Sequence, residues 1–136
     1  MKQKSGAIIL GALLAVLLLG SAAAGSAALT SIGPDEAYEL IQRRGGDPDF
    51  LILDVRTPGE YEAGHIAGSV NIDFYGESFA AELDRLDRDR TYLIYCRSGN
   101  RSGRTLGAMK KLGFKDVYNM NGGFMQWQLM SYPVVV

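Results

Sequence analysis

The chain has 136 residues, with 14 lysines and arginines against 15 aspartates and glutamates, a formal net charge of −1, one cysteine and one histidine. A near-neutral chain of this length builds one domain and lacks the positive field that general binding to nucleic acid or anionic membrane requires. One cysteine excludes an internal disulfide, and one histidine argues against a metal site built on imidazoles.

Lys2 and Lys4 precede an apolar stretch from Ala7 to Leu19, followed by small residues from Ser21 to Ala28. Basic, then apolar, then small with Ala-x-Ala-like sites is the layout of a secretory signal peptide, with cleavage after Ala24 or Ala28. The apolar core is short for a membrane span, which takes about 20 residues. No charge appears between Lys4 and Asp35, so an uncleaved membrane anchor is the alternative. A lipoprotein anchor is excluded, because no cysteine stands near the cleavage region. The predicted organisation is residues 1–28 as signal peptide (or N-terminal membrane anchor) and residues 29–136 as one domain. That predicts an exported, periplasmic or extracytoplasmic protein, which meets a membrane only if the segment stays uncleaved. Without Lys2 and Lys4 the domain is more acidic than the whole chain.

Leu29 to Ile32 is a candidate edge strand. Gly33-Pro34-Asp35-Glu36 reads as a helix start, with proline at the first position and acids facing the positive end of the dipole. Gly45-Gly46-Asp47-Pro48 ends that helix. Leu51 to Val55 is a short apolar run typical of a strand buried on both faces. Thr57-Pro58-Gly59-Glu60 fits a capping box, and Gly64 keeps the helix it starts short. Val70 to Ile72 is a third small strand. Phe79, Leu83 and Leu86 place a surface helix over Glu77 to Leu86. Asp87-Arg88-Asp89-Arg90 reads as a solvated turn. Thr91 to Tyr95 is a strand, Ser102 to Leu112 an amphipathic helix, Val117 to Met120 a strand, and Phe124 to Met130 a last helix. Trp127, Phe124, Met120, Met125 and Met130 form its core and rim, with Phe124 or Met125 placed to line a pocket mouth. Strands alternating with helices imply a mostly parallel α/β sheet covered on both faces, with ligands at the carboxyl ends of the strands.

Cys96 stands at such an end, opening the run Cys96-Arg97-Ser98-Gly99-Asn100-Arg101-Ser102. If Arg97 to Ser102 curls round the sulfur, successive N–H groups form an anion nest, and Gly99 permits the tight backbone this needs. A helix N-terminus and nearby guanidinium groups lower a cysteine pKa. Arg101 either closes the nest or contacts an anionic substrate in bidentate fashion. A cysteine that merely packs has no need of Gly99 or of Arg97, Arg101 and Arg104. Asp54 and Arg56 lie near another strand end, suited to an ion pair that ties down the loop, and Asp54 is a candidate to influence Arg101. Gly99 to Thr105 is a poor phosphate loop, with three residues between its glycines and arginine in place of lysine, so nucleotide binding is rejected.

Leu53-Asp54-Val55-Arg56, Glu60-Tyr61, Gly64-His65-Ile66-Ala67-Gly68-Ser69-Val70-Asn71-Ile72, the Cys96 to Ser102 loop, and Gly122-Gly123 with Trp127 and Pro133 together resemble a single-domain rhodanese. The blocks keep that family's order from about Ile32 to Pro133. Ser131 departs from the family's frequent glycine, at the last turn. The resemblance implies a three-layer fold, a five-stranded parallel sheet in the order 3-2-4-5-1 with helices on both faces. It also implies thiosulfate sulfurtransferase chemistry by double displacement. Cys96 would take the outer sulfur of a small anionic donor such as thiosulfate, hold it as a persulfide, and pass it to cyanide, a thiol or a protein acceptor. Arg97, Ser98, Gly99, Asn100, Arg101 and Ser102 map to the family's sulfur cradle, and His65 to a loop-ordering residue rather than a general base. No metal or organic cofactor is implied. Phosphatase relatives place the loop arginine six positions after the cysteine and a histidine before it; here Arg101 is five positions on and Tyr95 precedes, which disfavours phosphatase activity. The alternatives from another class are a non-enzymatic persulfide carrier and a thiol redox or interaction module for a protein partner.

Overall fold

Backbone N–H and C=O groups of apolar runs can leave water only when paired, and here they pair strand to strand. The computed structural model describes residues 28–136, so the expected signal or anchor segment falls almost wholly outside the described residues. The described part contains β1 (Leu29–Ile32), α1 (Pro34–Arg44), β2 (Phe50–Asp54), α2 (Pro58–Ala63), β3 (Ser69–Asn71), α3 (Phe79–Asp84), β4 (Thr91–Tyr95), α4 (Asn100–Lys111), β5 (Asp116–Met120) and α5 (Gly123–Leu129). All strand pairs are parallel, in the order β1-β5-β4-β2-β3, which is the predicted order read from the other edge. Leu29 to Ile32 is therefore the fifth strand, on the edge beside β5. No helix among the described residues is long and apolar enough to cross a membrane.

The sheet separates two apolar layers. Side chains alternate along β4, sending Leu93 and Tyr95 to one face and Tyr92 and Ile94 to the other. On the first face they join Ala37 and Leu40 of α1 and Phe124 and Trp127 of α5. On the second they join Leu83 of α3, Met109 of α4 and Phe114. β4 is buried along its whole length, which fits its unbroken run of large side chains.

Two readings change. The helix after the cysteine starts at Asn100 instead of Ser102, because Gly99 caps it in the left-handed region at φ +102°. Half of the expected loop is thus the first turn of α4. The turn at Asp87 to Arg90 is more than solvated charge: Arg88 lies over the Phe114 ring, 4.6 Å from its centroid, and donates to the Leu112, Asp84 and Leu86 carbonyls.

Register places the site. Asn71, Asp54 and Tyr95 sit side by side across β3, β2 and β4. Cys96 follows directly, at the carboxyl end of the central strand.

Candidate active site

The sulfur of Cys96 is buried, with 1% of the residue exposed. It accepts from the Gly99 N–H at 3.1 Å and from the Ser102 hydroxyl at 3.4 Å. Burial alone pushes the thiol up; bonds from the Ser102 hydroxyl and from the Ser102, Gly99 and Ser98 N–H groups more than offset it, so its pKa is lowered. These donors lie at the start of α4, where the first N–H groups have no helical partner of their own.

What turns the loop's amides inward is the last helix. Phe124 N donates to the Cys96 carbonyl at 2.8 Å and Met125 N to the Arg97 carbonyl at 3.0 Å. A trans peptide sends its C=O and its N–H in opposite directions. With both carbonyls drawn to α5, the Arg97 and Ser98 N–H groups point away from it. Gly123 makes this approach feasible: a Cβ there would lie 2.5 Å from the Cys96 oxygen and 2.6 Å from the Arg97 carbonyl carbon, at φ +57°. No side chain fits.

The Arg56 guanidinium donates to both oxygens of Asp54, the shortest bond being 2.7 Å, and to the Gly64 carbonyl at 2.6 Å. Both partners are buried. Burial pulls the Arg56 pKa down, and the Asp54 carboxylate outweighs it, so the guanidinium stays charged. Its plane lies over Phe124, 4.1 Å from the centroid. The Asn71 side chain donates to the Asp54 and Arg56 carbonyls and holds the turn after β2. Asp54 is therefore committed to Arg56, and the carboxylate that meets Arg101 is a different one.

That carboxylate is Glu60, on α2. Two Arg101 nitrogens donate to its two oxygens at 2.8 and 3.0 Å. One of those oxygens also accepts from the Thr57 N–H and hydroxyl, while the Thr57 hydroxyl caps the helix. The Arg101 guanidinium, ahead of any burial effect, holds the Glu60 carboxyl down at about 2. Sequence reasoning assigned Glu60 to the capping box alone and missed this second bond. It also gave Gly123 no role beyond its place in the Gly122-Gly123 pair. Nothing local announces either contact, since Glu60 and Arg101 are 41 positions apart.

His65 stacks on Tyr61 with ring centroids 3.8 Å apart, and its Nδ1 lies 2.9 Å from the Tyr61 carbonyl oxygen. Its backbone exchanges two bonds with Val135 in a single antiparallel bridge. Those contacts engage it with the α2–β3 connection and the C-terminal tail.

A groove of about 380 Å³ runs beside the loop, lined by Arg56, Glu60, Arg97, Phe124, Met125 and Gln128 among others. Phe124 and Met125 are thus both on its wall. Of the remaining loop residues, Arg97, Ser98 and Asn100 are exposed and Ser102 is buried. Arg104 is exposed on α4 and does not line the groove.

Comparison with known proteins decides the family. The model of the rhodanese-like domain matches residues 34–130. The chain belongs to the rhodanese family. Within that family it is 34% identical over 102 residues to the thiosulfate sulfurtransferase GlpE of Pseudomonas putida, covering 75% of this chain and 86% of the relative. It is 30% identical over 100 residues to a sulfurtransferase of Allochromatium vinosum, covering 74% and 92%. Among solved rhodanese structures, a rhodanese-related protein of Thermoplasma volcanium superposes with a TM-score of 0.66 at 34% identity, covering 78% of this chain and 97% of that one. A rhodanese-like domain protein of Staphylococcus aureus gives 0.61 at 28% identity, covering 72% and 90%. The rhodanese match runs from α1 to the end of α5 and so includes β2, α2, β3, β4, α4 and α5, the elements that build the site.

Proposed function

We propose that this rhodanese is a thiosulfate sulfurtransferase working through a Cys96 persulfide. The observation that carries the reading is the sulfur held by the Gly99 N–H and the Ser102 hydroxyl, in a loop that reaches Arg101 five positions on. Sulfur transfer as the general chemistry is supported by family membership and by the two relatives named as sulfurtransferases. The cradle suits a negative sulfur, whether thiolate or persulfide, because its donors are fixed before any substrate arrives.

In the proposed cycle the Cys96 thiolate attacks the outer sulfur of thiosulfate. The S–S bond of the donor breaks, sulfite leaves with the bonding pair, and a persulfide remains on Cys96. Cyanide or a thiolate acceptor then attacks the terminal sulfur, and the Cys96 thiolate departs unchanged. No net oxidation occurs at the protein. Splitting the transfer in two lets one preorganised anion site serve both steps.

Intact-mass measurement tests this directly. After incubation with thiosulfate the wild type gains one sulfur atom that cyanide removes, and Cys96→Ser gains none. A wild type that never acquires the atom overturns the reading.

A further inference from the structure

Three guanidinium groups flank the loop and its groove, and they are not equivalent. Arg56 spends its donors on Asp54 and the Gly64 carbonyl. Arg101 presents two of its nitrogens to Glu60 in a fork-to-fork pair. Each of these two cations has its own carboxylate, so neither adds a net charge to the groove. Arg97 differs. It is exposed on the groove wall, and among the described residues its guanidinium has no hydrogen-bond or ion-pair partner. Its root is nevertheless fixed, because Met125 N holds the Arg97 carbonyl at 3.0 Å. The groove therefore contains one uncompensated positive charge, anchored at the residue that follows the nucleophile.

We infer that the Arg97 side chain is the group that receives the anionic end of the sulfur donor, and that Arg101 is a strut between α2 and α4. The ligand class is a small oxyanion of sulfur, thiosulfate in the proposed reaction. A planar guanidinium with all its donors uncommitted suits two oxygens of such a group. Arg101 would have to release Glu60 to do the same, losing two charge-assisted bonds. The inference rests on the proposed reaction for the identity of the donor, and on the groove geometry for the charge.

The test separates these two supports by reading the field at Cys96 without any sulfur transfer. The rate of alkylation by anionic iodoacetate is divided by the rate by neutral iodoacetamide, in the full domain, at one pH. Because both reagents need the same thiolate, the ratio reports local charge and cancels thiol pKa. Arg97→Gln lowers the ratio by about threefold or more at low salt, and Arg97→Lys restores most of it. Added salt lowers the wild-type ratio and leaves that of Arg97→Gln nearly flat. With thiosulfate as donor, Arg97→Gln raises KM by about tenfold and lowers kcat by much less. An unchanged ratio in Arg97→Gln overturns the assignment. A lowered ratio in a protein that makes no persulfide from thiosulfate supports the assignment and overturns the proposed reaction alone.

Discussion

Glu60 and Arg101 meet through two parallel bonds of 2.8 and 3.0 Å, joining a helix cap on one side of the site to the first turn of the helix on the other. The pair makes the acid behaviour of the domain predictable. A carboxyl whose folded pKa lies below its unfolded value adds stability above the unfolded range and loses it as pH falls. For Glu60 that window runs from its ordinary value of 4.5 down to about 2. Urea unfolding across this window gives a falling midpoint in the wild type and a flatter one in Glu60→Gln. Equal slopes in the two proteins would remove Glu60 as the source.

The thiol is predicted to depend on Ser102 more than on any other single side chain, because its hydroxyl is the side-chain donor to the sulfur. Ser102→Ala leaves burial in place and removes one bond that favours the thiolate. Alkylation by iodoacetamide near neutral pH then slows by about 3–10-fold, with the profile displaced to higher pH. A profile that stays in place would show that the amides alone hold the charge.

Much of this site is legible in the chain because its causes are local. The apolar run before Cys96, the capping box at Thr57 to Glu60 and the proline starts of α1 and α2 each express themselves within a few residues. Asp54 and Arg56 are also near neighbours, and their pairing follows from two charges at one buried strand end. The start of α4 is harder. Gly99 caps it through a left-handed backbone, and a glycine followed by polar residues leaves no periodic pattern to mark the boundary. Contacts made by backbone across long separations are harder still. Phe124 N on the Cys96 carbonyl leaves no side-chain signature beyond the glycine that permits it.

Gly123 is predicted to be intolerant of any side chain. Gly123→Ala places a methyl against the fixed backbone of Cys96 and Arg97 and adds the penalty of a left-handed residue. The expected loss of stability is roughly 2–4 kcal/mol. Denaturant unfolding measures the loss, and the same variant reacts more slowly with iodoacetamide because the amides no longer converge. Full stability in Gly123→Ala contradicts the clamp.

His65 offers a discrimination between ordering and catalysis. Its ring stacks on Tyr61 and its Nδ1 faces a backbone carbonyl, so the geometry supports a role in loop order. His65→Phe retains the stack, loses one polar contact, and destabilises the domain by about 1 kcal/mol. The pH dependence of Cys96 alkylation is predicted to stay where it is. A loss of the neutral-pH reactivity in this variant would restore the general-base role.

The N-terminal boundary is also open to measurement. Ala28, directly ahead of β1, is already tied to β5: its carbonyl accepts from Val117 N at 2.7 Å, and its N–H donates to the Asp116 carboxylate at 3.0 Å. We propose that cleavage, where it occurs, follows Ala24, since a cut after Ala28 would remove both of these bonds to β5. The mass of the protein isolated from an exporting cell is predicted to begin at Gly25. A start at Leu29 would refute the choice.

The α5 clamp has a consequence for biogenesis. A polypeptide is made from its N-terminus, and the groups that orient the Cys96 loop, Phe124 and Met125 of α5, are made after the loop itself. Until Phe124 and Met125 emerge and dock, the amides near the sulfur are unconstrained and the cysteine is an ordinary, weakly reactive thiol. The lowered pKa of the thiol therefore belongs to the loop with α5 docked against it, and not to the Cys96 loop alone.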